Sequence, residues 1–95
     1  GLMLPYTELA EIQNQSGTTL AEDVPVRLEM AGGNATRLGQ AYDFTCEAHI
    51  SAEDHLVGQT NRRLVIDGRT FKVLSAEAQH FVPHLELELR EVRGG

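Results

Sequence analysis

The sequence has one Cys, no Trp and only five aromatic residues among its 95. The single cysteine, Cys46, excludes an internal disulfide, so the fold does not depend on an oxidising compartment. No apolar run approaches the roughly 18 to 20 residues of a membrane helix. The N-terminus also lacks the charged and apolar regions of a signal peptide. We therefore expect a soluble protein with no contact to a membrane.

Basic side chains are scarce as well. Eight Lys and Arg stand against 14 Asp and Glu, which gives a formal net charge of -6. Arg62 and Arg63 are the only adjacent basic pair. Proteins that bind nucleic acid usually carry a basic patch that neutralises phosphates, and no such cluster occurs here. The charge balance argues against conventional DNA or RNA binding, but it allows an acidic surface to lie near DNA without gripping it.

The length sets the domain organisation. A chain of 95 residues corresponds to one domain, so we expect a single β-barrel domain over residues 1–95. Residues 1–5 are expected to be disordered or derived from an expression tag, and residues 93–95 to form a flexible tail. A domain of this size buries only about 60 to 65% of the surface of its unfolded chain. Contacts with partners or with further copies would therefore add to its stability.

Alternation of apolar and polar residues is the main structural signal. Over residues 42–50, Phe44, Cys46 and Ala48 fall on one face, which predicts a half-buried strand. Residues 84–90 alternate in the same way. Residues 24–30 do so too, but Pro25 cannot donate to a ladder, which predicts an edge strand or a strand start there. Between two apolar runs, 64–66 and 71–74, the Asp67-Gly68 step predicts a tight antiparallel hairpin.

Turn residues cluster at 14–19, 31–34, 51–61 and 76–83, and these segments are predicted loops. Helical signals are weak: Ser51 is a candidate N-cap for one short turn over residues 51–54, and residues 76–79 are a poorer candidate. Five or six short strands predict an all-β fold, a small antiparallel β-barrel or sandwich with long loops and at most one short helical turn. Closure into a barrel would also remove exposed strand edges.

Four His and one Cys raise the possibility of a metal site. His80 and His84 have the spacing of a helical zinc pair, but Pro83 disfavours a helix that carries both. In an extended chain the two lie about 13 Å apart, too far for one zinc ion. Cys46 and His49 lie on opposite faces of their strand. We therefore predict no metal ligand and no cofactor.

No motif predicts catalysis. Cys46 lies on the apolar face of its strand, where a thiol is typically an inert small hydrophobe. Glu86 and Glu88 share an outer face about 6.5 to 7 Å apart, but the chain lacks the aromatic cleft of a glycosidase, so they are interpreted as a solvated face. Gly32-Gly33 lacks the Lys and the helix of a phosphate loop. We predict no catalytic residue and a protein that is not an enzyme.

Taken in order, three segments resemble a known family. They are the alternating strand YDFTCEAHI at 42–50, the strand-turn-strand RLVIDGRTFKVL at 63–74 and the closing strand LELELREV at 85–92. Over roughly residues 6 to 92 the chain resembles the small head-tail joining proteins of long-tailed bacteriophages. The resemblance is to the head-closure or stopper kind, which sits beneath the portal and adaptor rings. The chain departs from the commoner form of that family in lacking a Trp in the early strand region.

This resemblance implies a structural protein of the virion, made in the cytoplasm of the bacterial host. It implies a β-barrel that assembles with its own copies into a cyclic ring in the phage neck and closes or lines the DNA channel. Portal and adaptor proteins would lie above the ring and tail proteins below it. DNA would pass nearby without sequence-specific binding, since an acidic wall repels the phosphate backbone.

The contacts of such a ring are expected in its loops, because functional residues concentrate on loops held by a rigid scaffold. The loops over residues 32–40 and 51–61 are the candidates for contacts between rings or for a channel plug. Within them the predicted contact residues are Arg37, Leu38, Asp54, His55 and Leu56.

Two other functions stay open at this point. The chain could be a small ligand-binding or regulatory β-barrel adaptor, in which case a ligand would raise its melting temperature. It could also be a tail-terminator or minor tail protein, which would share the barrel and the ring but occupy another level of the neck.

Overall fold

In a computed structural model, which describes residues 6–30, 43–79 and 81–92, the chain forms a closed antiparallel barrel of six strands. The order around the barrel is β1-β2-β3-β6-β5-β4, and β4 pairs with β1 to close it. The all-β prediction is confirmed, and of its two forms the barrel is the one observed. The elements are β1 (Glu8–Gln13), β2 (Thr19–Met30), β3 (Asp43–His49), a 3₁₀ turn (Ile50–Ala52), α1 (Glu53–Leu56), β4 (Arg63–Ile66), β5 (Arg69–Ala78) and β6 (His84–Glu91).

The core fills the inside of the barrel. Successive side chains of a strand point to opposite faces, and in β6 this buries Leu85, Leu87 and Leu89 while Glu86 and Glu88 face outward. Fifteen described side chains are buried, all of them apolar or cysteine, and no polar or charged residue of the described ranges is among them. The interior of a barrel this narrow is packed with side chains rather than open.

The predicted hairpin is confirmed. It joins β4 to β5 through a two-residue turn, with Ile66 paired to Arg69. Asp67 has φ 52° and Gly68 has φ 77°, the two positive angles of the type I′ turn that matches the twist of the flanking strands. Glycine adopts this left-handed backbone without the steric penalty of a Cβ atom.

An aromatic pair under a cation closes one region of the core. The rings of Phe44 and Phe71 meet edge to face with centroids 5.2 Å apart. The guanidinium carbon of Arg69 lies 5.3 Å from the first centroid and 5.2 Å from the second. The Glu91 carboxylate accepts two hydrogen bonds from that guanidinium, at 3.0 and 2.9 Å. This hydrogen bonding raises the pKa of Arg69 above its usual value, so the cation over the rings stays charged.

The short helical segment was predicted at the correct place but with the wrong cap. Ser51 is not the N-cap. Instead Nδ1 of His49 accepts a hydrogen bond from the Ser51 backbone N–H at 3.1 Å and lies 2.9 Å from the Ser51 hydroxyl oxygen. Ala52 precedes α1 without a side-chain cap. Ala52 and Leu56 are buried in the core, so packing holds α1, while the His49 side chain caps the 3₁₀ turn before it.

Pro25 lies inside β2, so the prediction of an edge strand or a strand start was wrong. β2 begins six residues earlier, at Thr19, and Pro25 faces Leu9 of β1. The ladder between β2 and β3 starts only at Val26, which pairs with Ala48. Pro25 therefore lies one residue before the β2–β3 ladder, and its missing N–H removes no donor from that ladder.

The predicted loop over 76–83 begins too early, because β5 continues to Ala78. Ala76, Glu77 and Ala78 pair with residues of β6, so the helical alternative over 76–79 was also wrong. A bulge at Leu74 shifts the register between Val73 and Ser75. Small Ala residues alternate with the strand period after the bulge, and pairing with the leucines of β6 outweighs their weak strand propensity.

Other predictions concern segments outside the described ranges: the termini 1–5 and 93–95, the loop 32–40 and His80. Within the ranges that are described, no helix has both the length and the apolar character needed to cross a membrane.

Candidate protein-binding surface

A groove with a volume of about 390 Å³ lies on the outer face of four neighbouring strands, β2, β3, β6 and β5. We call it the acidic groove, because five of its ten lining residues are glutamates and one is a cation. The lining residues are Arg27, Glu29, Thr45, Cys46, Glu47, Ser75, Glu77, Glu86, Leu87 and Glu88.

Strand register brings the carboxylates of the acidic groove together. Glu47 of β3 is paired directly with Glu86 of β6, which is paired in turn with Glu77 of β5. Side chains at directly opposed positions have Cβ atoms about 4.5 to 5.5 Å apart, and like charges in such positions are destabilising. The row therefore holds three carboxylates side by side. Arg27 of β2 is paired with Glu47 at one end of the row, so the repulsion that no charge in the row offsets is the one between Glu86 and Glu77.

Arg27 is the cation among the lining residues, and it binds two glutamates on the β2–β3 side of the groove. Its Nε and Nη2 atoms donate to Oε1 of Glu47 at 3.2 and 2.9 Å, and its Nη1 atom donates to Oε2 of Glu29 at 3.2 Å. The hydrogen bond to Glu47 is the main reason that the pKa of Arg27 is raised. Arg27 thus neutralises the β2–β3 side of the groove and leaves the β6–β5 side negative.

The β6–β5 side has few internal partners. The hydroxyl of Ser75 donates to Oε1 of Glu88 at 3.0 Å. Glu77 and Glu86 make no ion pair or hydrogen bond with any other side chain in the described part of the molecule. Two carboxylates on a pleated outer face are therefore available to a positively charged partner.

Among the described residues, three side chains in and beside the groove are of the kinds that bind metal ions: Glu47, His84 and Glu86. Nε2 of His84 lies 3.7 Å from Oε2 of Glu47, and one ligand atom each from Glu47, His84 and Glu86 fall within 4.8 Å of one another. Imidazole and carboxylate groups are ligands of divalent transition metals. Spacing along the chain could not reveal this group, because it depends on the register between β3 and β6. By spacing alone, the candidate partner of His84 was His80.

Cys46 is among the lining residues of the groove, but its side chain belongs to the core and is not available for chemistry. Its side chain is 2% exposed, and burial raises the pKa of the thiol to about 12. At neutral pH it is therefore a thiol and not the nucleophilic thiolate. The prediction that Cys46 is a small buried hydrophobe is confirmed.

The five predicted contact residues are not brought together by the described structure. Arg37 and Leu38 lie outside the described ranges. Asp54 is exposed on α1, and His55 beside it is half-buried. Leu56 is 1% exposed and belongs to the core, so placing it on a contact surface was wrong: it is the apolar anchor that holds α1 on the barrel.

Exposed apolar side chains mark another part of the surface that the sequence did not reveal. In the connection between β5 and β6, Phe81 is 97% exposed and Val82 is 42% exposed. An apolar residue in a predicted loop gives no sign of whether it turns inward or outward, so no sequence pattern identified this pair. Leu9, Leu74 and Val92 are also exposed.

No known protein family, no curated protein and no solved structure matches this chain.

Proposed function

We propose that the chain is a structural virion protein of the bacteriophage neck. Its copies form a ring that joins head to tail and closes or lines the DNA channel. The ring contacts portal or adaptor proteins on one side and tail proteins on the other. The proposal rests on the family resemblance of the three strand segments and on the properties of the barrel described above.

The observation that carries the proposal is a closed barrel whose inside is filled and in which every charged residue with a described side chain lies outside the core. The fifteen buried side chains include no polar or charged residue. A filled apolar interior leaves the outer face as the place where other molecules are recognised. A small domain whose chemistry is confined to its outer surface is suited to binding other proteins and to assembling with its own copies.

The proposal includes no catalytic role. Cys46 is the described residue with the strongest intrinsic nucleophile, and its raised pKa and burial keep it protonated. Activated nucleophiles need a neighbouring base and access to substrate. Eight of the ten residues that line the acidic groove carry a carboxylate, a guanidinium or a hydroxyl, a set that recognises charge on a partner.

A small ligand-binding barrel is the less supported alternative. Small-molecule sites are mostly apolar concavities with a few polar groups, whereas half of the lining residues of the acidic groove are glutamates. A tail terminator would use the same kind of ring, so it is distinguished from a head-closure protein by the partner it binds rather than by its fold.

The test measures assembly and partner choice together. Light scattering after size exclusion is run on the purified chain alone, mixed with a portal–adaptor complex, and mixed with tail-tube protein, and rings are imaged by electron microscopy. We expect the chain to join the portal–adaptor complex in a fixed ratio. Binding to tail protein alone supports the tail terminator instead. A chain that binds neither complex overturns the proposal.

A further inference from the structure

A second row of like charges crosses the barrel on its outer face. Arg63 of β4 is paired directly with Lys72 of β5, and Lys72 is paired in turn with Arg90 of β6. We call these three residues the basic row. They are three of the eight basic residues of a chain with net charge -6, so their concentration in one row is not a consequence of overall composition.

The inward neighbours of the basic row show that it faces solvent. Leu64, Phe71 and Leu89 follow or precede its members by one residue, and each is fully buried. Because successive strand residues point to opposite faces, the three cations point outward. Neither Arg63 nor Lys72 makes an ion pair or hydrogen bond with another residue in the described ranges.

The barrel thus carries two unfavourable rows of opposite sign. Glu86 and Glu77 repel each other in the acidic groove, and Arg63 and Lys72 repel each other in the basic row. At the far ends of the two rows, Glu47 is paired with Arg27 and Arg90 is paired with Asp43. Along β6 the position of Arg90 is four residues from Glu86, about 13 Å. Both rows are fixed in the same hydrogen-bonded ladders, so one copy cannot bring its own basic row onto its own acidic groove.

We propose that the acidic groove of one copy binds the basic row of a second copy. This inference rests on the proposed function, since it names the contact that would build the ring. Charge complementarity is the argument for this occupant: a second copy relieves the repulsion in both rows, whereas a neutral or acidic partner relieves neither. The contact we propose is head-to-tail: a two-fold dimer would use both surfaces of both copies at once, whereas a head-to-tail contact leaves one surface of each copy unused. Such a contact repeats from copy to copy and builds a ring or filament.

Two charge-reversed variants test the contact. The groove variant is Glu86→Lys with Glu88→Lys, and the row variant is Arg63→Glu with Lys72→Glu. All four side chains point outward, so both variants should keep the barrel, which far-UV circular dichroism checks. If either reversal unfolds the chain, the neutral versions with Gln at the same positions replace it.

Sedimentation velocity or light scattering is measured at low salt with EDTA, so that a metal bridge does not contribute. We expect the wild type to assemble beyond a dimer and to dissociate as salt rises. Like-charge contacts cost several kcal/mol and each 1.4 kcal/mol is tenfold in affinity, so each variant alone should associate at least about tenfold more weakly. An equimolar mixture of the two variants should assemble again, because each restores the charge that the other has reversed.

The matched control is Glu22→Lys with Asp23→Lys, two exposed acidic residues of β2 that lie outside both surfaces. It changes net charge by the same amount as the groove variant and should assemble like the wild type. The inference is overturned if the reversed variants assemble normally, if their mixture does not assemble, if assembly stops at a dimer, or if the wild type stays monomeric. A monomeric wild type that still joins the portal–adaptor complex overturns this contact alone. A self-assembling chain that binds no neck partner overturns the proposed function alone.

Discussion

The Phe71→Ala substitution tests how much the packed core contributes to the stability of the barrel. Its side chain is fully buried and its ring packs edge to face on Phe44 beneath the guanidinium of Arg69. It also lies where β5 pairs with both β4 and β6, opposite Leu64 on one side and Glu91 on the other. Phe71→Ala therefore removes contacts that join three strands.

The expected loss can be worked from these contacts. A buried Phe→Ala change costs about 3 to 5 kcal/mol through lost transfer energy and the cavity left behind. A domain of this length has about 5 to 14 kcal/mol of total stability at 0.05 to 0.15 kcal/mol per residue. Phe71→Ala should therefore remove about a fifth or more of the stability. Phe71→Leu keeps most of the volume and should cost less than about 1.5 kcal/mol.

Urea unfolding followed by far-UV circular dichroism measures the effect. For a small domain the slope is about 1 to 3 kcal/mol per molar urea, so the midpoint should fall by about 1 M or more while the slope stays unchanged. The matched control is Phe81→Ala, the same substitution at a side chain that is 97% exposed. It should change stability by no more than about 0.5 kcal/mol. Equal losses for the two variants would refute the packing argument.

Three further predictions concern single positions. Burial raises the pKa of Cys46 to about 12. The stabilising contribution of the protonated thiol is therefore complete below the unfolded thiol pKa of about 8.5 and declines as pH rises towards 12. Urea unfolding at pH 7 to 11 should show the difference in free energy of unfolding between wild type and Cys46→Ala becoming smaller. Gly68→Ala places a Cβ atom on a backbone with φ 77°. No other atom lies within 4 Å of that Cβ position, so the strain comes from the backbone alone and should lower the free energy of unfolding by about 1 to 2 kcal/mol. The control, Asp67→Asn, should leave the melting temperature nearly unchanged. Glu86→Gln removes the repulsion of this carboxylate by Glu47 and Glu77 and should raise the melting temperature at low salt. The increase should become smaller as salt is added. An unchanged melting temperature at low salt would contradict the like-charge argument.

Local patterns were sufficient for much of the fold. The alternation of Leu85, Leu87 and Leu89 and the Asp67-Gly68 step each act over a few residues, and both were predicted correctly from the sequence. The short helical turn also lay near its predicted place. Its cap was mispredicted because Ser51 was chosen by residue type, whereas the acceptor is the ring of His49, two residues earlier in the chain.

Strand limits and pairing depended on contacts distant in sequence. β5 continues through residues 76–78 because they pair with β6, and β2 accommodates Pro25 because its ladder with β3 begins one residue later. Neither fact has a local signal. Pairing energy from a neighbouring strand outweighed intrinsic propensity at both places.

The candidate site shows the same division. Glu86 and Glu88 were correctly predicted on one outer face, since that follows from the strand period alone. Their neighbours Glu47 and Glu77 come from β3 and β5, and only the register sets them beside Glu86. The basic row escaped prediction for the same reason, because Arg63, Lys72 and Arg90 are far apart in sequence.

The seam that closes the barrel also bears on how fast the protein folds. The β4–β5 hairpin joins residues three apart, Ile66 and Arg69, whereas β1 meets β4 through Ala10 and Ile66. Pairings so distant along the chain carry a loop-closure entropy that local contacts do not, and they slow folding. We expect the hairpin to form early and the β1–β4 seam late. Until that seam forms, the facing edges of β1 and β4 lack their ladder partners, so newly made chains have a period in which strands of neighbouring copies can pair in place of their own.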